Sequence, residues 1–156
     1  MSLLATDLVK RLAATTEPLD PDDPSLLLAR EIIAKVRMSG FEPCDSRVAS
    51  EDFDDEDVLA LRDALVDYAL RFPDDPTRGT AYWGLAALHD PNELDLLRGI
   101  LKTESTKELL DEEVLWQVMI GLDNIGEDIL KPIQSDPVEQ AGDRWAASRL
   151  YLERNP

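Results

Sequence analysis

Five aspartate–proline pairs, at 20–21, 23–24, 75–76, 90–91 and 136–137, constrain this chain more than any other feature. Proline lacks the N–H that a helix interior needs, but a first turn does not need it, and a preceding aspartate can accept from the free amides of that turn. Each pair therefore marks a helix start. Two carry the full capping-box logic, Asp90-Pro91-Asn92-Glu93 and Asp136-Pro137-Val138-Glu139, with a glutamate three residues after the cap. Between these marks apolar residues recur at helical spacing. Val58, Leu61, Leu65, Tyr68, Ala69 and Phe72 form one stripe, and Leu110, Val114, Val118 and Leu122 form another.

No segment alternates as a half-buried strand does, so the spacing predicts an all-α chain. Helices are expected near 3–15, 24–38, 55–72, 77–89, 91–102, 109–122, 126–134 and 137–153. Short connections near 73–76, 89–91 and 123–125 make consecutive helices antiparallel neighbours. The polar segment 39–54 reads instead as one long acidic loop. Pro132 predicts a short or kinked seventh helix, because it removes a hydrogen bond and clashes with the carbonyl four residues earlier. Gly99 lowers the helix propensity of 91–102 by about 1 kcal/mol against alanine, so packing must hold that helix.

With 156 residues, 44% of them apolar, the chain can supply one continuous core, and a single domain over 1–156 is expected. The 33 acidic and 16 basic residues leave a formal net charge of −17. Binding a phosphate backbone depends on lysine and arginine displacing counterions, so direct nucleic-acid or anionic-membrane binding is not expected. A basic protein partner suits the charge better. The longest apolar runs, such as Leu26-Leu27-Leu28-Ala29, stop at four residues, far short of the about 20 needed to span a bilayer. The first residues show no basic leader followed by an apolar stretch, which points to a cytoplasmic protein. Cys44 stands alone beside a single histidine, which excludes an internal disulfide and the zinc sites built from clustered Cys and His. No cofactor is implied.

Sliding Trp83 onto Trp116, a 33-residue offset, places Leu85 on Val118, Asp90 on Asp123, Leu96 on Ile129, Leu97 on Leu130 and Ile100 on Ile133. A repeated helical hairpin of this length gains stability by stacking on the next, which builds an α-solenoid. The stretch from Arg78 through Gly79-Thr80-Ala81-Tyr82-Trp83-Gly84-Leu85-Ala86-Ala87-Leu88 and Asp90-Pro91 to Leu96-Leu97 resembles the HEAT-like repeats of bacterial proteins. Their pattern is a basic residue, a first helix rich in small residues, an Asp-Pro turn and a leucine-rich second helix. The second copy, 113–134, departs from it, with Glu113 for the base, Asn124 after Asp123 and Pro132 inside the second helix. Residues 137–153 can supply the first helix of a third copy, and 24–72 a divergent one split by the long loop. The resemblance implies a short ARM-type superhelix of antiparallel hairpins, in a family of scaffolds, adaptors and inhibitors where enzymes are a minority. Such repeats specify packing rather than chemistry.

On a solenoid the second helices line the concave side, so Asp63, Asp67, Arg71, Asp95, Arg98, Lys102, Asp128 and Lys131 are the expected partner-binding row. The competing reading is a set of ordinary solvent-facing charges, where an Asp–Arg pair one turn apart contributes about 0.2–0.5 kcal/mol. A second candidate is the acidic patch Glu51, Asp52, Asp54, Asp55, Glu56 and Asp57. It lacks the central glycine and alternating register of an EF-hand. It reads either as the dipole-complementing start of helix 55–72 or as a surface for a basic partner. The surrounding stretch 17–57 carries 13 acids against 4 bases. His89 beside Asp90 is a formal general-base pair, but with no nucleophile nearby its ordinary reading is a helix-terminal histidine. Trp83, Trp116 and Trp145, one per repeat, read as core packing before binding hot spots. The expected function is a non-enzymatic protein–protein interaction module. The alternative is a small acidic inhibitor or immunity-type protein that neutralises a basic toxin or nucleic-acid-binding protein.

Overall fold

A computed structural model describes residues 1–130 and 140–156, the side chains of 140–145 excepted. The described residues are helical, without a strand, and divide into two compact units, Met1–Leu88 and His89–Pro156.

Unit 1 holds α1 (Leu3–Ala14), α2 (Pro24–Arg37), the one-turn α3 (Ser46–Ser50), α4 (Asp55–Arg71) and α5 (Arg78–Ala86). Asp23 caps α2 as its Asp-Pro pair predicts, accepting from the Ser25 N–H at 2.9 Å with Pro24 in the first turn. At 75–76 the same logic works one step earlier. Asp75 accepts from the Thr77 N–H at 2.9 Å and closes a turn, and the helix follows from Arg78. The expected loop 39–54 contains α3 and is tied to α2 by two residues one turn apart. Glu31 accepts from the Cys44 N–H at 2.6 Å, and the Lys35 ammonium donates to the carbonyls of Val48 at 2.8 Å, Ala49 at 3.2 Å and Glu51 at 2.5 Å.

The stripe read from α4 is the one that packs: Val58, Leu61, Leu65, Tyr68 and Ala69 are buried, against Leu8 and Leu12 of α1 and Leu26, Ile32 and Ile33 of α2 in the same core. Successive helices pair as antiparallel neighbours, and alternate ones pair too, α1 with α4 and α2 with α5. These alternate pairs run parallel. Ser2 N–H reaches Asp57 at one end of α1 and α4, while Arg71 reaches the Leu12 and Thr15 carbonyls at the other. Likewise Thr80 reaches the Pro21 carbonyl before α2, and Arg37 reaches the Leu88 carbonyl beyond α5. The outer helices α1 and α5 do not pair, so unit 1 is an open double layer rather than a closed four-helix bundle.

Unit 2 begins with a 3-10 turn, Pro91–Glu93, followed by α6 (Leu94–Ser105), α7 (Glu112–Asn124) and α8 (Gln140–Arg154). Asp90 accepts from the Asn92 N–H at 3.0 Å, but it caps the 3-10 turn, so the α-helix expected from 91 starts at Leu94. Asp111 accepts from the N–H groups of Glu113 and Val114 and sets the start of α7 three residues later than expected. Gly126, at φ +94°, ends that helix in a Schellman turn, with the Glu127 N–H donating to the Leu122 carbonyl at 3.0 Å. Residues 127–130 are therefore not helical, unlike the first part of the expected 126–134 helix. The rest of that helix with Pro132, and the capping box at 136–139, lie outside the described residues. The three helices pack pairwise around Leu97, Leu101, Val114, Val118, Met119 and Leu122. The 78–97 stretch that carries the repeat resemblance thus contributes its first helix to unit 1 and its second to unit 2.

Candidate functional site

The charges that open surfaces need and the charges that a fold consumes are told apart by their partners. On α4, Asp63 is exposed and its carboxylate lies 2.9 Å from the neighbouring Arg62, while Asp67 lies 3.0 Å from Arg71 Nε. Arg71 itself is half-buried and engaged within unit 1. Its two terminal nitrogens donate to the carbonyls of Leu12 and Thr15, each at 2.5 Å. At the end of α1 the Leu12 carbonyl already accepts from the Thr15 N–H at 3.3 Å, and the guanidinium adds a second donor there and one to the cap carbonyl, with favourable charge for that end of the dipole.

The acidic patch divides in the same way. Asp57 is 2% exposed, so it is withdrawn from the proposed surface. Its carboxylate accepts from the Asp54 N–H at 3.0 Å and the Ser2 N–H at 2.8 Å, and Asp54 returns the bond to the Asp57 N–H at 3.1 Å. This is a complete capping box, built with aspartate where the usual pattern has glutamate. The bond from the Asp57 amide holds the Asp54 carboxyl below the usual carboxylate range. Asp52, Asp55 and Glu56 stay exposed and Glu51 half-buried, with Asp55 lying 3.3 Å from Arg37.

In unit 2, Asp95, Lys102 and Asp128 are exposed, while Lys131 lies outside the described residues. Arg98 is half-buried and engaged within unit 2. Its Nε donates to the Tyr151 hydroxyl at 2.7 Å, and Nη2 donates to Glu127 at 2.7 Å and Asn155 at 3.0 Å. The Tyr151 hydroxyl also donates to Glu127 at 2.5 Å, which ties α6, the turn after α7 and α8 together. Burial, with Glu127 accepting its proton, pushes the Tyr151 phenol up to about 12. The Tyr151 bond, then Arg98, holds the Glu127 carboxyl below its usual range, and the bonds to Tyr151 and Glu127 raise Arg98.

Linkage gives these shifts opposite signs. Glu127 contributes stability above its ordinary pKa of 4.5, lost as pH falls through the depressed folded value. Tyr151 contributes below its ordinary 10.0, and its contribution is lost as pH rises from there to about 12. The denaturation midpoint of the chain is therefore expected to fall at both ends of the pH scale. A tyrosinate absorbance titration, wild type minus Tyr151→Phe, should show one group ionising well above the others. A difference curve centred on the ordinary tyrosine value would contradict the cluster.

Lys102, with Thr106 from the end of α6 and Arg149 and Leu152 from α8, lines an open cleft of about 470 Å³ in unit 2. Its lining is largely apolar and carries charges of both signs, Lys102, Arg149 and Glu153, a combination suited to seating an aliphatic side chain with a polar end. The sequence did not single out this cleft, because α8 is distant from α6 along the chain. Nor did it show the Glu31 and Lys35 clamp, for which the i,i+4 spacing was the only signal. Trp83 is half-buried beneath the Arg30 guanidinium, which stands 4.4 Å from its ring centroid. Trp116 is half-buried on α7, and the Trp145 side chain lies outside the described residues. His89 falls beyond α5, exposed and at φ +49°, a left-handed turn residue rather than the last residue of a helix. No protein-family model matches the chain, and no curated protein or solved structure matches it.

Proposed function

We propose that this chain is a non-enzymatic protein–protein interaction module, a scaffold or adaptor built on HEAT-like stacking of helical hairpins, and that it works in the cytoplasm without a cofactor. One observation carries the reading: in unit 1 alternate helices pair in parallel, α1 with α4 and α2 with α5, while the outer helices stay apart. Stacked hairpins make that pattern, and such stacks serve as extended surfaces. The shallow, open concavities of both units suit peptide segments better than an enclosed substrate.

A second reading, the acidic inhibitor of a basic protein, is favoured by how unit 1 uses its cations. Arg30, Lys35, Arg37 and Arg71 are each engaged by a carboxylate, a carbonyl or an aromatic ring of the same unit, which leaves Lys10, Arg11 and Arg47 as exposed cations against a larger number of exposed acids. The test of both is capture from a host lysate followed by reconstitution with the purified captured protein. An equimolar complex on size exclusion that survives high salt is expected for the scaffold, and one lost at high salt for the inhibitor. A chain that elutes alone with every captured candidate, yet gains thermal stability from a small molecule, would overturn both.

A further inference from the structure

Two of the aspartate–proline turns, at 20–24 and 75–76, meet at one end of unit 1. The Leu19 N–H donates to the Tyr68 hydroxyl at 2.9 Å, that hydroxyl lies 2.6 Å from Thr77 Oγ1, and Thr80 Oγ1 lies 3.4 Å from the Pro21 carbonyl. Between the two segments Pro18, Phe72, Pro73, Asp74 and Asp75 line a shallow groove of about 330 Å³. Its walls are two proline rings and one aromatic ring, and its rim is acidic. Glu17, Asp20 and Asp22 are exposed on the segment that carries Pro18, and Asp74 is exposed on the other. None of these four carboxylates has an ion-pair partner among the described residues. Of the nearest cations along the chain, Arg71 donates to the end of α1 with its guanidinium 5.6 Å from the Phe72 ring centroid, without itself lining the groove, and Arg78, which is 2% exposed, donates to the Asp75 carbonyl.

A ring-walled slot with unpaired carboxylates at its mouth matches a long cationic side chain, whose aliphatic stem packs on proline and phenylalanine while its head meets the acids. The volume accommodates one or two side chains and not a helix. We propose that this groove seats an arginine or lysine of a basic partner segment. The proposal names the partner chemistry of the interaction module above and rests on that reading.

The test is an amide NMR titration of the full chain with acetyl-Arg-Arg-amide, repeated with the citrulline analogue, which keeps the stem and loses the charge. Shifts confined to 17–23 and 72–77 with the arginine peptide, and absent with citrulline, are expected. The exposed triple variant Asp20→Asn, Asp22→Asn, Asp74→Asn should weaken binding by about tenfold or more, and Glu51→Gln with Asp52→Asn should leave it unchanged. Shifts centred on 51–57 or spread over all the acids, equal weakening by both variants, or the same shifts from calcium alone with none from the peptide would each overturn the groove. A reconstituted partner that binds the triple variant as tightly as wild type overturns the groove and leaves the interaction module standing. Failure to reconstitute any complex removes the module reading as well.

Discussion

Replacing Tyr68 with phenylalanine is expected to cost unit 1 about 1 kcal/mol, the net worth of the hydrogen bonds its hydroxyl makes. Tyr68 is fully buried, and its hydroxyl is the hub of a short relay. It accepts from the Leu19 N–H and donates to Thr77 Oγ1, since the Thr77 hydroxyl is itself committed to Asp75 at 2.5 Å. Phenylalanine keeps the packing of the ring on Phe72, 5.0 Å away between centroids, but leaves the Leu19 amide without its acceptor, while Thr77 Oγ1 loses a donor and keeps its bond to Asp75. Tyr68→Ala should cost more, about 3–5 kcal/mol, because it opens a cavity as well. Urea denaturation followed by circular dichroism separates the two terms. A Tyr68→Phe midpoint equal to wild type would show that water replaces the hydroxyl and that the relay contributes nothing.

Gly84→Val is expected to destabilise unit 1 by about 1–3 kcal/mol through overpacking. A Cβ at position 84 would stand 2.8 Å from Leu65 Cδ1, 3.2 Å from Arg30 Cβ and 3.5 Å from the Arg30 Cα. The leucine end can swing away, but Arg30 Cβ is fixed to the backbone of α2, so the parallel pair α2 and α5 must part. The same separation lifts Trp83 from the Arg30 guanidinium, and tryptophan fluorescence should report it. Gly99→Ala provides the contrast. Nothing lies within 4 Å of its Cβ position, so recovered helix propensity should stabilise α6 by about 1 kcal/mol. Destabilisation at both sites, or at neither, would refute the close-approach account of Gly84.

Much of the helical architecture was legible because its signals are local. Asp23-Pro24 marks α2, and the apolar stripe of α4 is its buried face, because capping and periodicity depend on residues within a turn or two of each other. Local signals also erred in local ways. Asp90-Pro91 starts a 3-10 turn before the α-helix, and Gly126 turns the chain out of α7, where a further helix was expected. The full capping box of unit 1 sits at Asp54 and Asp57 and passed unnoticed because its third residue is aspartate.

The candidate surface was far less legible. Asp57, Arg71 and Arg98 look like their solvent-facing neighbours in any one-dimensional reading, yet each is consumed inside a unit. Asp20, Asp22 and Asp74 look no different, yet they stay unpaired around a groove. Helix starts, helix faces and the all-α class follow from the order of residues, since each rests on contacts a few positions apart. Which charges are spent and which remain open rests on partners such as Arg71 and Leu12, or Arg98 and Asn155, that lie more than fifty positions apart. Those pairs exist only once the helices have packed, because only then do the unsatisfied carbonyls and carboxylates of one element lie within reach of the donors of another.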